Sequence, residues 1–376
     1  MIKEYLKFIK DKSIVSAILI ILVMEISLQF GCYKPFLKRS SYAALVNTVT
    51  DHALIQKNKP EPQILIIGTS LAYEGISMRI LNERLSPLKM RAESIAIPGA
   101  ELIIQRLALE KILNKYKNIK YIIQLNEIQM AWVRNETMPH ATLAMVSEFD
   151  RLKAIKLLRE QSYELGIDDL SYIFIKFISY RNDIGEFILN PAGRIKDIGK
   201  KRKEFENEYL YENKYEESLT LYPFKDIKEC LKVTAPNSAI STGSNKRHQE
   251  AIFKTCILAN DTNLPFEETE ATRLYHKKLS NLYQLAKDNN IKIINVFPPL
   301  PVYLNAWGYQ RRIQFWKEHY HDLLGEIVDY SNLVPEEDNS SYYYDILHLN
   351  RKGMEFFTEK LSTKLMQIMA EPKEVK

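Results

Sequence analysis

Short apolar runs alternate with helical patterns along this chain, and that alternation constrains its fold more than any other feature. The first run, Ile-Leu-Ile-Ile at 64–67, ends at Gly68. Comparable runs occur at 94–97, 121–125, 291–297 and 326–328. Such runs are typical of strands that are buried on both faces of a parallel sheet. Because strands that alternate with helices form βαβ units, we predict an α/β fold with a parallel sheet.

Four segments between or after these runs carry apolar residues at helical spacing, which predicts helices that each bury one face. They are marked by Ile76, Ile80 and Leu81; by Ile104, Leu107, Ala108, Ile112 and Leu113; by Tyr275, Leu279, Leu282 and Ala286; and by Met354, Phe357, Leu361, Leu365 and Ile368. Asn350 precedes the last of these helices and is a residue type that N-cap positions prefer.

The stretch at about 130–265 breaks this rhythm. It begins with helical patterns around 151–164 and continues through a charged aromatic run at 200–206 and a polar loop at 236–245. We predict a large, mostly helical insertion in the α/β domain. Two interpretations remain open: a cap folded over the functional site, and a solvated addition with no part in chemistry.

The N-terminal segment predicts where the protein works. A lysine-rich start precedes an apolar run from Ile14 to Met24, which resumes after Glu25. The segment 14–33 matches the length of a membrane span, about 20 residues. The basic flank is expected to stay in the cytoplasm, which places everything after Tyr33 on the periplasmic or extracellular side. A cleaved signal peptide and a buried soluble helix are the alternatives, and Glu25 is expected either to face a partner helix or to reach the outer interface.

These features divide the chain into a cytoplasmic tip with a transmembrane helix (1–33), a connecting segment (34–62) and an α/β domain (63–376). The chain has 52 Lys and Arg against 47 Asp and Glu. The resulting charge of +5 is too small and too scattered to indicate nucleic-acid binding.

The cysteines and histidines do not indicate a metal or redox site. The three cysteines are Cys32, Cys230 and Cys256, and no Cys-x-x-Cys occurs. The sequence leaves undecided whether Cys230 and Cys256 form a disulfide. His319 and His321 are two residues apart on a predicted helix, a spacing that does not converge on a metal. We therefore expect no metal and no cofactor.

Gly68-Thr69-Ser70 follows the first predicted strand directly. In an open α/β sheet, ligands bind outside the carboxyl ends of the strands. A serine at a strand-to-helix turn there exposes its hydroxyl and its own N–H, and Gly68 permits the tight turn. A helix N-cap explains the same serine, so this motif alone does not identify a nucleophile. No Gly-Lys-Ser/Thr follows, which excludes a P-loop.

Three further segments supply partners for such a serine. Asp345 lies three residues before His348, so it can orient an imidazole that takes up and returns the serine proton. Gly99, after the second predicted strand, offers a backbone N–H, and Asn126, after the third, offers a side-chain amide. The tetrahedral oxyanion of acyl transfer needs two or three such donors. The alternative role of Asn126 is to cap the next element.

Together, Gly68-Thr69-Ser70, Gly99, Asn126 and Asp345-x-x-His348 resemble, in order, the motifs of the SGNH (GDSL-like) hydrolase family. The resemblance covers about 62–129 and 292–369. It implies a flavodoxin-like three-layer α/β/α sandwich, with Ser70 as nucleophile, Asp345 and His348 completing the triad, and Ser70, Gly99 and Asn126 in the oxyanion hole. The family's Gly-Asp-Ser is here Gly-Thr-Ser, and its Gly-x-Asn-Asp is here Gln-Leu-Asn-Glu at 124–127.

The anchor and the insertion resemble membrane-bound bacterial members of that family. This implies an esterase or O-acyltransferase that acts on an ester of a cell-envelope glycan, lipid or polymer, with a multi-span membrane acyltransferase as a partner. A second hypothesis is a non-catalytic envelope protein that binds or assembles polysaccharide with the same fold. The altered third motif favours the binder, whereas the Asp-x-x-His triplet favours the enzyme because a binder does not need it.

Overall fold

The computed structural model describes residues 11–55, 59–127, 139–216, 268–301, 309–335, 339–344 and 347–370. The strands among them are β1 (Ile64–Ile67), β2 (Ala92–Ser94), β3 (Tyr121–Leu125), β4 (Lys292–Phe297) and β5 (Glu326–Asp329). The α-helices are α1 (Lys12–Gln29), α2 (Tyr42–Ile55), α3 (Ser70–Gly75), α4 (Met78–Leu85), α5 (Leu102–Lys115), α6 (His140–Val146), α7 (Arg151–Glu160), α8 (Ile167–Phe174), α9 (Lys176–Ser179), α10 (Arg181–Leu189), α11 (Pro191–Phe205), α12 (Glu270–Asp288), α13 (Tyr309–His319), α14 (His321–Leu324) and α15 (Arg351–Ala370). Short 3-10 helices lie at Lys34–Phe36, Ser86–Leu88 and Asn339–Tyr342. Cys32 is exposed and unpaired, whereas Cys230 and Cys256 lie outside the described residues.

The five strands form one parallel sheet in the order β2-β1-β3-β4-β5. All four residues of β1 are buried, because the strand lies inside the sheet and both its faces are covered. The predicted α/β fold with a parallel sheet is therefore confirmed. The chain runs from β1 to β2 on one side and then to β3 on the other. Such a reversal opens a crevice at the carboxyl ends of β1 and β3, where open sheets bind ligands.

The apolar run predicted as a strand at 94–97 extends beyond β2. The N–H groups of Ile95 and Ile97 donate to the carbonyl oxygens of Ile66 and Gly68 at 2.9 and 3.1 Å. The chain therefore continues alongside β1 after the regular strand ends at Ser94. The apolar run marks this buried extension, which leads to Gly99.

The predicted helices at 104–113, 275–286 and 354–368 are confirmed as α5, α12 and α15. Phe357, Leu361 and Leu365 of α15 are fully buried in the core of the sheet. Asn350 caps this helix, since its Oδ1 accepts the N–H of Gly353 at 2.9 Å. The helix predicted from Ile76 begins two residues later, because Ser77 is the N-cap and its Oγ accepts the N–H of Ile80 at 3.2 Å.

The chain forms two compact units. The sheet unit contains Val49–Glu136 and Glu208–Lys376, and the helical unit contains Met1–Thr48 and Thr137–Asn207. The described part of the predicted insertion is helical from α6 to α11. The boundary near residue 48 falls inside α2.

Within the helical unit, α1 is the described helix that is long and apolar enough to cross a membrane. Its apolar side chains are mostly exposed, and Leu28 is its buried residue. Glu25, which interrupts the apolar run, faces a neighbouring helix. Its carboxylate accepts the backbone N–H groups of Lys176 and Phe177, each at 2.8 Å. These two hydrogen bonds offset part of the cost of a charge on an apolar helix.

Candidate active site

Ser70 lies at the turn between β1 and α3, where it is the first residue of the helix. Gly68 precedes it at a point of close packing. A Cβ atom at Gly68 would lie 2.7 Å from the Cβ of Ala72, closer than carbon atoms approach each other. Glycine therefore lets α3 begin directly against the end of the sheet, which brings Ser70 to the carboxyl edge of β1.

His348 reaches this serine from a segment 278 residues further along the chain, and its Nε2 lies 2.8 Å from Ser70 Oγ. The loop that carries His348 is closed by an antiparallel bridge between Tyr343 and Leu349. Gly353 at the start of α15 allows the loop to approach the helix, since a Cβ there would lie 2.2 Å from the carbonyl oxygen of Tyr342. The distance from Nε2 to Oγ is that of a base ready to take up the serine proton.

Aromatic residues support the imidazole of His348. The ring of Tyr344 is nearly parallel to it, with centroids 5.8 Å apart and an interplanar angle of 18°. Tyr344 also stacks on Tyr215 at 4.1 Å, and its hydroxyl donates to the carboxylate of Glu74 on α3. The orientation of His348 is thereby tied to the helix that begins with Ser70.

A short segment of the sheet unit, 211–215, connects the serine helix to the histidine loop; we call it the strap. Asn213 is 2% exposed, and its Nδ2 donates to the carbonyl oxygens of Glu74 at 3.1 Å and Leu349 at 2.7 Å. Glu74 lies on the serine helix and Leu349 adjoins His348. One buried amide thus joins the two segments that carry the reactive pair.

A pocket of about 210 Å³ opens beside Ser70. Residues that line it include Gly99 and the polar residues Thr69, Gln124, Glu127 and Lys278. Thr69 Oγ1, Gln124 Oε1 and Glu127 Oε1 are buried and have no hydrogen-bond partner among the described residues. Buried polar atoms normally have partners, so these oxygens can accept hydrogen bonds from a ligand or water.

Glu127 directly follows β3 and is the carboxyl group of this pocket with the most perturbed proton affinity. The residue as a whole is half-buried, but its Oε1 is inaccessible to solvent. Burial raises the pKa of Glu127 to about 7, and the nearby His348 opposes part of that rise. A strongly shifted acid beside a Ser–His pair is typical of functional sites.

Asn126 lies next to Glu127, but its amide has a different partner. The residue is 1% exposed, and its Nδ2 donates to Oδ1 of Asn295 on β4, which also accepts the hydroxyl of Tyr283. Among the described residues that line the pocket, Leu125 and Glu127 are present and Asn126 is not. The structure therefore joins Asn126 to the interior contact between β3 and β4.

The structure brings Ser70, His348 and Gly99 to one edge of the sheet, with Gly99 in the left-handed region at φ +72°. Asp345, the third member of the predicted triad, lies outside the described residues. No protein-family model matches this chain, and no curated protein matches it either.

Two residues of this site have no role in the sequence-based prediction. Glu127 has the same signal as Asn126, a polar residue at the carboxyl end of a predicted strand. Asn213 has no such signal, because it lies in the predicted insertion and more than 130 residues from either backbone oxygen that it binds. No local pattern could have identified it.

Proposed function

We propose that this protein is a membrane-anchored serine esterase or O-acyltransferase in which Ser70 is the nucleophile and His348 the general base. The observation that carries the proposal is the 2.8 Å distance between His348 Nε2 and Ser70 Oγ at the mouth of a pocket. In this proposal Asp345 orients the imidazole, and the N–H groups of Ser70 and Gly99 face the oxyanion.

The proposed reaction has two halves. Ser70 Oγ attacks the ester carbonyl carbon while His348 Nε2 takes up the hydroxyl proton. The tetrahedral intermediate collapses, the alcohol leaves with the proton from His348, and an acyl ester remains on Ser70. Water or an acceptor hydroxyl then loses its proton to His348 and attacks the acyl carbon. The bond between that carbon and Ser70 Oγ breaks, and Oγ takes the proton back from His348. The choice between water and a hydroxyl decides between hydrolase and transferase.

The fold and motifs favour an SGNH-like enzyme. The strand order 2-1-3-4-5 is that of flavodoxin-like sheets, whose ligands bind at the β1/β3 switch point. Ser70 lies at the end of β1, and Glu127 follows β3. The proposed substrate is an ester of a cell-envelope glycan, lipid or polymer, and the proposed partner is a multi-span membrane acyltransferase.

Labelling by a fluorophosphonate tests the nucleophile. The full-length chain should be labelled, and Ser70→Ala should abolish both labelling and ester turnover. His348→Ala should slow labelling by about 10²- to 10⁴-fold. Ser86→Ala is the matched control, because Ser86 is an exposed serine outside the site. Labelling of Ser70→Ala at the wild-type rate would refute the assignment.

The proposed location is the outer face of a membrane, with the N-terminus in the cytoplasm. The length and apolar composition of α1 support it, as does the basic segment before it. A variant that keeps Cys32 and replaces Cys230 and Cys256 by serine tests the orientation. A membrane-impermeant maleimide should label Cys32 in intact cells as well as in lysed cells. Labelling after lysis alone would place the domain in the cytoplasm.

The position of Asn126 favours a second candidate, a non-catalytic envelope protein that binds polysaccharide. One N–H of its amide donates to Asn295, and Asn126 is not among the described residues that line the pocket. A binder would show no fluorophosphonate labelling of the wild type. It would also retain polysaccharide binding after Ser70→Ala.

A further inference from the structure

The pocket beside Ser70 contains a carboxyl group that has no role in the Ser–His reaction as described above. Glu127 lines the pocket, and its Oε1 is buried with no hydrogen-bond partner among the described residues. An ionised carboxylate in that position would lack the donors that compensate for lost water. The neutral acid carries less of this cost and presents an O–H group to whatever occupies the pocket.

Burial favours a protonated Glu127, and the neighbouring imidazole works against it. Burial is the main cause of its raised pKa of about 7, and His348 opposes the rise when its imidazole carries a proton. Among the described residues that line the pocket, the other titratable ones are Glu101, Tyr275 and Lys278. Burial lowers the pKa of Lys278, and the carboxylate that acts on this lysine is that of Glu101.

Asn126, the donor that the sequence assigned to the end of β3, is not among the described residues that line the pocket. One N–H of the Asn126 amide donates to Asn295, whereas the next residue along the chain, Glu127, lines the pocket. We propose that Glu127, as a neutral carboxylic acid, donates a hydrogen bond to the ester oxygen that becomes the oxyanion when Ser70 attacks. This inference rests on the proposed function and gives that site one more catalytic residue.

The step conserves protons. Ser70 Oγ forms a bond to the carbonyl carbon, its proton moves to His348 Nε2, and the π electrons of the carbonyl move to oxygen. Glu127 shares its proton with that oxygen through a hydrogen bond and does not transfer it. When the intermediate collapses, the electron pair re-forms the carbonyl, the alcohol takes the proton from His348, and Glu127 remains neutral.

The pH dependence of ester turnover tests this role because glutamine can donate a hydrogen bond but cannot ionise. We would measure kcat/KM for p-nitrophenyl acetate with the full-length chain from pH 5 to 9. For the wild type, kcat/KM should fall about tenfold per pH unit above about pH 7. Glu127→Gln should stay within about tenfold of the wild type at pH 6 and lack this alkaline fall. Glu127→Ala should lose about 10²- to 10³-fold at pH 6, the cost of one oxyanion donor.

Glu83→Gln is the matched control: it removes an exposed carboxyl of the same unit and should keep the wild-type profile. If Glu127→Gln is as impaired as Glu127→Ala, the charge is what matters and the inference is wrong. It is also wrong if Glu127→Gln keeps the alkaline fall. Ser70→Ala separates the two proposals: an inactive Ser70→Ala with a wild-type Glu127→Ala refutes this inference alone, whereas an active Ser70→Ala refutes the proposed function. If Glu127→Ala fails to fold, Glu127→Gln still decides the outcome.

Discussion

Two glutamates with buried carboxyl oxygens, one in each unit, have opposite surroundings. The side chain of Glu148 in the helical unit is fully buried and accepts hydrogen bonds from Lys176, Tyr180 and Asn47. Burial alone would raise its pKa, but Lys176 and the hydrogen bonds outweigh this and lower the pKa below its usual value. Glu127 in the sheet unit has no such donors for Oε1 among the described residues, and its pKa is raised.

The difference separates two uses of a buried carboxyl group. Glu148 is an ionised acceptor with its oxygens occupied, so it joins neighbouring helices and has little capacity for a ligand. Glu127 has an oxygen without a hydrogen-bond partner among the described residues, and this oxygen lies in the pocket beside the reactive pair. A ligand or a proton that binds this oxygen would therefore stabilise the side chain. Burial is common to both, and the number of donors decides which role follows.

The largest expected effect on stability comes from Glu148, whose carboxylate has several hydrogen-bond donors. Glu148→Ala leaves the Lys176 ammonium buried without its carboxylate, which should lower the free energy of unfolding by about 3–5 kcal/mol. Urea denaturation of the full chain measures this. Lys176→Met in the same variant should restore part of the loss, because it removes the unpaired charge.

Glu186→Ala is the matched control in the same unit. Glu186 pairs with Lys38 at 2.8 Å, but both side chains are about half exposed. Such exposed pairs contribute less than about 1 kcal/mol. Equal losses for Glu148→Ala and Glu186→Ala would show that the donors around Glu148 do not stabilise the unit.

The second prediction concerns the pH dependence of stability, where the two glutamates should act with opposite sign. Glu127 has a folded pKa of about 7 against an ordinary value of 4.5. The folded state therefore holds this proton more tightly, and the stability it contributes is fully present below pH 4.5 and lost as the pH rises to 7. The loss should be at most about 3–4 kcal/mol. Glu148, with its lowered pKa, contributes stability above pH 4.5 that is lost in acid.

Subtracting the pH–stability curve of Glu127→Gln from that of the wild type isolates the first contribution. The difference should decrease from pH 4.5 to 7 and then level off. A flat difference would mean that the folded protein does not hold this proton, which would remove one support for a neutral acid in the pocket.

The sequence identified the sheet and its edge because those depend on local pattern. The apolar runs at 64–67 and 121–125 coincide with β1 and β3, since burial on both faces requires continuous apolar sequence. The same rule placed Ser70 at the end of β1. His348 could be paired with it because parallel topology brings the ends of strands and the loops beyond them together.

The side-chain partners of the site could not be derived in this way. Asn126 and Glu127 are adjacent polar residues after one strand, and the sequence does not show which one enters the pocket. That depends on Asn295 of β4, about 170 residues away, whose Oδ1 receives the amide of Asn126. The strap is a similar case, since the role of Asn213 depends on two backbone oxygens in distant segments.

The smallest expected change in stability comes from Asn213, which lies beside the reactive pair. Like Glu148, it is a buried polar residue whose side chain has hydrogen-bond partners. Asn213→Ala removes the amide that donates to both the Glu74 and the Leu349 carbonyl oxygens. This should lower the free energy of unfolding by about 1–3 kcal/mol. Because these bonds join the Ser70 helix to the His348 loop, fluorophosphonate labelling should also slow by about tenfold or more in the folded protein.

Asn118→Ala is the control for this variant, since Asn118 is an exposed asparagine of the same unit whose amide binds Glu61 at 2.9 Å. It should change neither stability nor labelling measurably. Labelling must be compared at a temperature where Asn213→Ala remains folded, so that the rate reports the position of His348 relative to Ser70. If stability falls and the labelling rate does not, the strap only stabilises the fold. Asn213 would then have the same purely structural role as Glu148. If stability and the labelling rate both fall, the buried amide of Asn213 also positions His348 relative to Ser70.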